Sequence, residues 1–456
     1  MTDRSLQPAT SLEDATAALD AERPLQYGDV RFEDLAPARG GDVTQRMRRA
    51  LERKQPGRFK AMVFASHRGA GKSTELFRLA HDLRDRYQCL YLEANVEMDA
   101  QAIAMEDLVL VLAREVATLM QREGLPLESE LLSDIAKWFG ETIQTTDIGQ
   151  TYVSEMRAEA GAGGAVAGFV KLMASMTALL RVESQHRETL KQVLRQYPGA
   201  LMDAVNKLLT AAHKRLKDER GRELLVIIDN LDRYEPSVID DLIVRHGNQL
   251  LELKCNLILT PPIVLIYRPE TGPVEDYFKI EVMNAVRLRG PHDPPDQLSG
   301  PGRELLLAAL NKRIDIARLI PEEHVRDRLI VASGGSIRDL LELTADATLE
   351  ADGLVLTLRD IEAAARRRRT VMRDKMNSNG WADALATIAR TKQIDADTAC
   401  LLALYNRMAF KYNGDGWYDV HPLLHEIPEF LAALERTHHH GEDEQQPDEA
   451  PGSERR

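Results

Sequence analysis

Two hydrophobic rhythms organise the chain. Short unbroken apolar runs mark strands buried on both faces, and longer stretches with apolar residues every three or four positions mark amphipathic helices. Strand-type runs cover about 59–66 (with Ala61-Met-Val-Phe-Ala65), 88–95 (Gln88-Cys-Leu-Tyr-Leu-Glu-Ala-Asn95), 224–229 (Leu224-Leu-Val-Ile-Ile-Asp229) and 278–288. A further run, Asn256–Tyr267, is split by Pro261 and Pro262, which leaves Thr260 at a strand end. Helical spacing follows Asp42 as far as Lys54, and covers 74–84, 103–122, 184–218 and 236–253. Strands alternating with helices predict an α/β fold with a parallel sheet.

The intervals between these elements predict the organisation. Residues 1–40 read as a lead-in to a core at 41–290, polar, Ala-rich and loosely held over 1–20 and loop-like from 23 on. The gap 96–222 is far longer than one crossover helix needs, so the core holds a helical insertion at about 125–220. Within it, 161–180 is apolar, small-residue-rich and interrupted by Lys171; a Gly-Ala hinge leading into a buried helix stands against a membrane- or partner-touching segment. A Gly/Pro-rich linker at 290–302 leads to a helical unit at 303–372. There Gly334 and Gly335 end one helix, Ser336 caps the next, and Arg338 lies in its first turn, where a cation opposes the helix dipole. A small unit at 377–436 has a helix near 394–407 followed by a hairpin pattern, Phe410-Lys-Tyr412, Asn413-Gly-Asp-Gly416, Trp417-Tyr-Asp-Val420, suggestive of a winged helix. The acidic tail 437–456 is expected to be disordered, with His438–His440 in a solvated turn.

Composition narrows the partners. A net charge of −13 argues against coating nucleic acid or anionic membrane with the whole surface, while leaving local patches such as Arg366–Arg369, Arg373 and Lys375 open. Cys89, Cys255 and Cys400 have neither metal-ligand nor disulfide spacing, which suits a reducing, cytoplasmic compartment. No uncharged stretch reaches spanning length.

The chemistry lies at strand ends. Ser66-His67-Arg68-Gly69-Ala70-Gly71-Lys72-Ser73-Thr74 joins the first strand to a helix. Such a loop aims backbone N–H groups at phosphates, Lys72 reaches the β- and γ-phosphates, and the Ser73 hydroxyl meets Mg²⁺. The strict pattern has Gly at the position of Ser66, so the turn must form with a Cβ present. The acidic strand ends in Asp229, suited to Mg²⁺, with Asp232 nearby to orient or deprotonate water.

This order of phosphate loop, acidic strand, polar strand end and helical lid with Gly335-Ser-Ile-Arg338 resembles the AAA+ and STAND ATPases over roughly 40–350, and is closest in pattern to the replication-initiator branch. The resemblance implies a parallel-sheet P-loop NTPase core with a helical lid and a winged-helix-like domain, ATP and Mg²⁺, Thr260 as first sensor, and Arg338 as a second sensor reaching the γ-phosphate. Many AAA+ members end the acidic strand in Asp-Glu. Here it is Asp229-Asn230, with Asp232 the substitute, and slow hydrolysis is expected. Asp229-Asn-Leu-Asp-Arg233 is also similar to KAP-type NTPases, whose membrane-spanning insertions fall where 161–180 lies. The expected function is a regulatory switch ATPase coupled to self-association or a protein partner, with Arg233, Arg268 or Arg313 as charge-stabilising candidates. The alternatives are an ATP-dependent DNA-binding protein working through Arg366–Arg369 and the C-terminal domain, or a non-hydrolysing nucleotide-binding scaffold.

Overall fold

Strands β1 (Ala61–Ser66), β2 (Tyr87–Glu93), β3 (Glu223–Asp229), β4 (Asn256–Leu259) and β5 (Lys279–Met283) form one sheet in the order β2-β3-β4-β1-β5. The pairings β2–β3, β3–β4 and β4–β1 are parallel, with Glu93 opposite Asp229, Ile228 opposite Leu259, and Val63 opposite Leu259. Four C-terminal strand ends therefore share one edge, where ligands bind open α/β sheets. The computed structural model describes residues 7–99, 102–143, 164–181, 185–268, 272–412 and 416–443. It has two units, Thr44–Ala65 with Glu75–Val282, and Met1–Val43 with Ser66–Thr74 and Met283–Arg456.

The first unit holds the sheet. β3 is buried from Leu224 to Asp229, as its unbroken apolar run predicts. β4 stops at Leu259 because Pro261 and Pro262 offer no N–H to a ladder. The unit also contains α2 (Val43–Glu52) and most of α3 (Lys72–Asp82). The insertion is helical, with α4 (Met105–Arg122), α5 (Ser129–Ile143), α6 (Gly164–Arg181), α7 (Gln185–Gln196) and α8 (Pro198–Arg220). α6 packs on α4 and α5 and buries Phe169, Met173 and Met176, which accords with a buried helix. Residues 161–163 lie outside the described residues. Among the described residues no helix is long and apolar enough to cross a membrane. The single helix expected at 236–253 is instead three pieces, Pro236–Asp240, a π-turn Asp241–Arg245, and Gly247–Glu252.

The second unit begins with α1 (Leu12–Ala18), which corrects the expectation of a loosely held stretch for residues 7–20. Ala15 and Leu19 are buried, and Ala9 exchanges backbone hydrogen bonds of 2.8 Å with Arg313 and Asp315. Its later helices are α9 (Gly302–Asn311), α10 (Glu323–Ala332), α11 (Ile337–Glu350), α12 (Leu358–Asn379), α13 (Ala382–Thr391), α14 (Thr398–Tyr405) and α15 (Pro428–Asp443). One helix, α12, thus runs unbroken from the expected lid into the expected C-terminal unit. Strands β6 (Ala409–Lys411) and β7 (Tyr418–Val420) form the antiparallel hairpin; residues 413–415 of its turn, with Asp415, lie outside the described residues. α15 continues to Asp443, so disorder from Thr437 is corrected for that stretch; residues 444–456 lie outside the described residues. The strand expected at 278–288 ends at Met283. Beyond it, the N–H groups of Ala285, Val286 and Arg287 donate to Lys411, Gly335 and Ala38 carbonyls, so no sheet partner is needed. The core is thus the expected α/β sheet, in which β1 leads through the Gly-rich loop at 66–71 into α3.

Candidate functional site

The phosphate loop owes its shape to two glycines. Gly69 has φ +82° and Gly71 φ +92°, conformations that favour glycine, while Ser66 is not among the positive-φ residues. The Cβ at Ser66 therefore costs the turn nothing, which explains the departure from the strict motif. The Ser66 hydroxyl donates to His67 O at 3.1 Å and accepts from Lys72 Nζ at 3.4 Å. Lys72 is buried at the first turn of α3, followed by the partly exposed Ser73.

Two arginines clasp the loop. Arg39, buried in the N-terminal segment, donates from Nη2 to Ala70 O at 2.6 Å. From α11, Arg338 donates its backbone N–H to Gly69 O at 3.3 Å and lays its side chain over that glycine. A Cβ at Gly69 would stand 2.7 Å from Arg338 Cβ and 2.9 Å from its Cδ. Arg338 Nε is buried and meets no hydrogen-bond acceptor, an orphaned cationic donor beside a phosphate loop, as an anion would require. Ser336 caps α11 as expected, accepting from Asp339 N at 3.3 Å. Leu25 N donates to Thr74 Oγ1 at 3.0 Å, so the N-terminal segment touches the loop at Ala70 and at Thr74.

His67 is turned elsewhere. Its Nε2 accepts the Lys411 N–H at 2.8 Å, and its ring meets Phe410 edge-on at 5.1 Å. Burial, then the charges of Lys72 and Lys411, push its pKa down to about 3. His421 is held neutral in the same way, at about 3, and accepts from Leu423 N; burial takes His425 to about 4. The unfolded rings bind protons below about pH 6.5 and the folded ones do not, so stability falls as pH falls from about 6.5 towards 4. Each ring contributes up to about 1.4 kcal/mol per pH unit in that window. The urea midpoint should drop between pH 7.5 and 5, less steeply in His67→Gln; an unchanged wild-type midpoint contradicts neutral rings.

At the end of β3, Asp229 is buried and held by donors on both carboxylate oxygens. Oδ1 accepts from Thr260 Oγ1 at 2.9 Å and Asn230 N at 2.8 Å, and Oδ2 accepts a short bond from the Tyr91 hydroxyl. Thr260, the expected first sensor, thus spends its hydroxyl on Asp229 in this structure. Asn230 takes φ +65°, a left-handed conformation Asn tolerates, and its Nδ2 donates to Glu93 Oε2 at 3.2 Å. Asp232 is buried in the 3₁₀ turn Leu231–Arg233. Among the described residues no three metal-ligating side chains cluster, but Mg²⁺ takes one or two protein oxygens and completes its shell with phosphate and water. Asp229 in one unit and Ser73 in the other each carry an oxygen of that type.

The remaining candidates separate by environment. Arg313 is buried, with Nη1 donating to Ala309 O and Arg31 O and its pKa lowered to about 10 by burial. Arg268 is ion-paired with Asp240, and Arg233 is exposed. The Arg366–Arg369 run is largely consumed by pairs: Arg367 with Glu350, Arg368 with buried Asp339 and Glu342, Arg369 with Glu362 and Glu426. Arg39, Tyr91 and Glu93 escaped the reading of motifs. Glu93 carried a signal, since it is an acid at the end of an apolar strand, as Asp229 is.

No protein-family model and no curated protein matches the chain. Among solved structures it is similar to a Walker-type ATPase of Pyrococcus abyssi, at 13% identity and TM-score 0.39 over 92% of this chain and 99% of that one. It is also similar to Cdc6p of Pyrobaculum aerophilum, at 11% identity and TM-score 0.35 over 90% and 98%. The third is the ORC1 protein of Aeropyrum pernix in complex with DNA, at 13% identity and TM-score 0.36 over 92% and 98%. At TM-scores this low the likenesses assign neither family nor activity.

Proposed function

We propose that the chain is an ATP-binding switch that hydrolyses ATP slowly, in the manner of AAA+ and STAND ATPases, and couples its nucleotide state to self-association or a protein partner. The observation that carries this is the clasp of Arg338 on the phosphate loop. A lid helix that rests on Gly69, with a buried guanidinium nitrogen lacking an acceptor, gains a charge-assisted bond only when a phosphate is present. Nucleotide binding then biases the lid by differential affinity, which is what a switch requires.

In this reading the loop N–H groups and the N-terminus of α3 bind the phosphates. Lys72 exchanges its Ser66 contact for phosphate oxygens, and Ser73 and Asp229 hold Mg²⁺. Bound Mg²⁺ neutralises charge on the β- and γ-phosphates. Tyr91 and Thr260 keep Asp229 in one orientation. The pairing of Arg367, Arg368 and Arg369 within the fold removes support for DNA binding through that run.

ATP with Mg²⁺ should raise the thermal midpoint of the full chain, as any ligand of the folded state does, and ADP should be released slowly. Asp229→Asn should lower turnover roughly 10²-fold, the scale of one lost electrostatic group, while a nucleotide-induced shift persists. A midpoint indifferent to ATP, ADP and GTP overturns the reading; a shift without turnover in any oligomeric state reduces it to a scaffold.

A further inference from the structure

Glu93 closes β2 at the functional edge of the sheet and stands opposite Asp229 in the parallel register. Its Oε2 accepts from the side-chain amide of Asn230 at 3.2 Å. Asn230 occupies the position after Asp229 where an Asp-Glu strand end would carry its carboxylate. The carboxylate missing from β3 is therefore present on the neighbouring strand, tied to the amide that stands in its place.

We propose that Glu93 is the general base of ATP hydrolysis; this rests on the functional reading above. Two features favour it over Asp232. Glu93 is exposed at the strand end and open to water, whereas Asp232 is buried in a 3₁₀ turn. Glu93 also shares a face of β2 with Tyr91, two residues earlier, whose hydroxyl holds Asp229. One face of β2 thus orients the carboxylate assigned to Mg²⁺ and presents a second one, held by the Asn230 amide.

In the step itself, Glu93 takes a proton from a water as the water oxygen bonds to the γ-phosphorus. The bond from that phosphorus to the β–γ bridging oxygen breaks, and its electron pair leaves with ADP. ADP and inorganic phosphate result, and the proton passes from Glu93 to solvent.

The test uses the full chain with Mg²⁺ and ATP. Glu93→Gln should lower kcat by about 10²- to 10³-fold with ATP affinity within about twofold of wild type, and Asp232→Asn should change kcat far less. The exchange Glu93→Asn with Asn230→Glu keeps the same two groups on swapped strands and should recover at least about tenfold over Glu93→Gln, because a general base acts wherever its carboxylate reaches the water. Wild-type turnover in Glu93→Gln, or loss of ATP affinity together with kcat, overturns the assignment while leaving the switch intact. Loss in Asp232→Asn alone transfers the role to Asp232. A wild-type chain that binds ATP without hydrolysing it removes the assignment and leaves the scaffold, and one that does not bind ATP removes the functional reading itself.

Discussion

Lys72→Ala is expected to lower ATP turnover by about 10²- to 10³-fold, the scale of one lost preorganised donor, and to erase most of the ATP-induced rise in thermal midpoint. Lys72 is buried at the first turn of α3, where the helix N-terminus already favours an anion. Its ammonium contacts the Ser66 hydroxyl at 3.4 Å, and phosphate oxygens would offer it charge-assisted bonds. Removing it strips charge from the phosphates without touching the clasp of Arg39 and Arg338 on the loop backbone. Lys72→Arg should not restore turnover, because a planar guanidinium does not substitute for a compact ammonium in a loop this closely fitted. Circular dichroism and the nucleotide-free thermal midpoint serve as controls. Unchanged ATP turnover in a folded Lys72→Ala chain would show that the loop is not a phosphate site.

The largest expected stability effect lies at Gly335, just before α11. Its φ is +79°, and a Cβ there would stand 2.0 Å from the carbonyl oxygen of Val286. That oxygen cannot simply move away, because Val286 N donates to Gly335 O at 3.1 Å and the flanking Ala285 and Arg287 are also tied by backbone hydrogen bonds. Gly335→Ala must therefore separate residues 284–287 from the start of the helix that carries Arg338. The expected cost exceeds about 4 kcal/mol, combining a backbone clash with left-handed strain. Gly380→Ala is the matched comparison: its φ is +66°, but no atom lies within 4 Å of its Cβ position, so it should cost only about 1–2 kcal/mol. Urea midpoints of the two variants should differ widely, and equal midpoints contradict the packing of Gly335 on Val286.

Much of the core was legible because its information is local. An unbroken apolar run is buried wherever it lies in an α/β sheet, so β3 follows from Leu224–Ile228, and Pro261 and Pro262 end β4 by chemistry alone. Ser336 as a cap and Gly69 and Gly71 as loop residues are likewise matters of a few consecutive positions. The docking of α1 is not legible in the sequence, because Ala15 and Leu19 are too few to form a pattern, although the fold buries both. The basic run Arg366–Arg369 looked available because its partners, Asp339, Glu342, Glu350 and Glu426, are spread over 88 positions of sequence.

By itself the sequence determined the strand–phosphate loop–helix unit, the acidic strand and the capped lid helix, since each is built from short-range spacing, burial and backbone preference. Only the tertiary structure decided what surrounds them. Strand order and register set Glu93 beside Asn230 and bring Tyr91 and Thr260 to Asp229, across separations of 137, 138 and 31 residues. Folding of the other unit brought Arg39 and Arg338 to the loop and turned His67 to Lys411. Contacts of that range depend on how chain crossings close in space, and no window of consecutive residues specifies them.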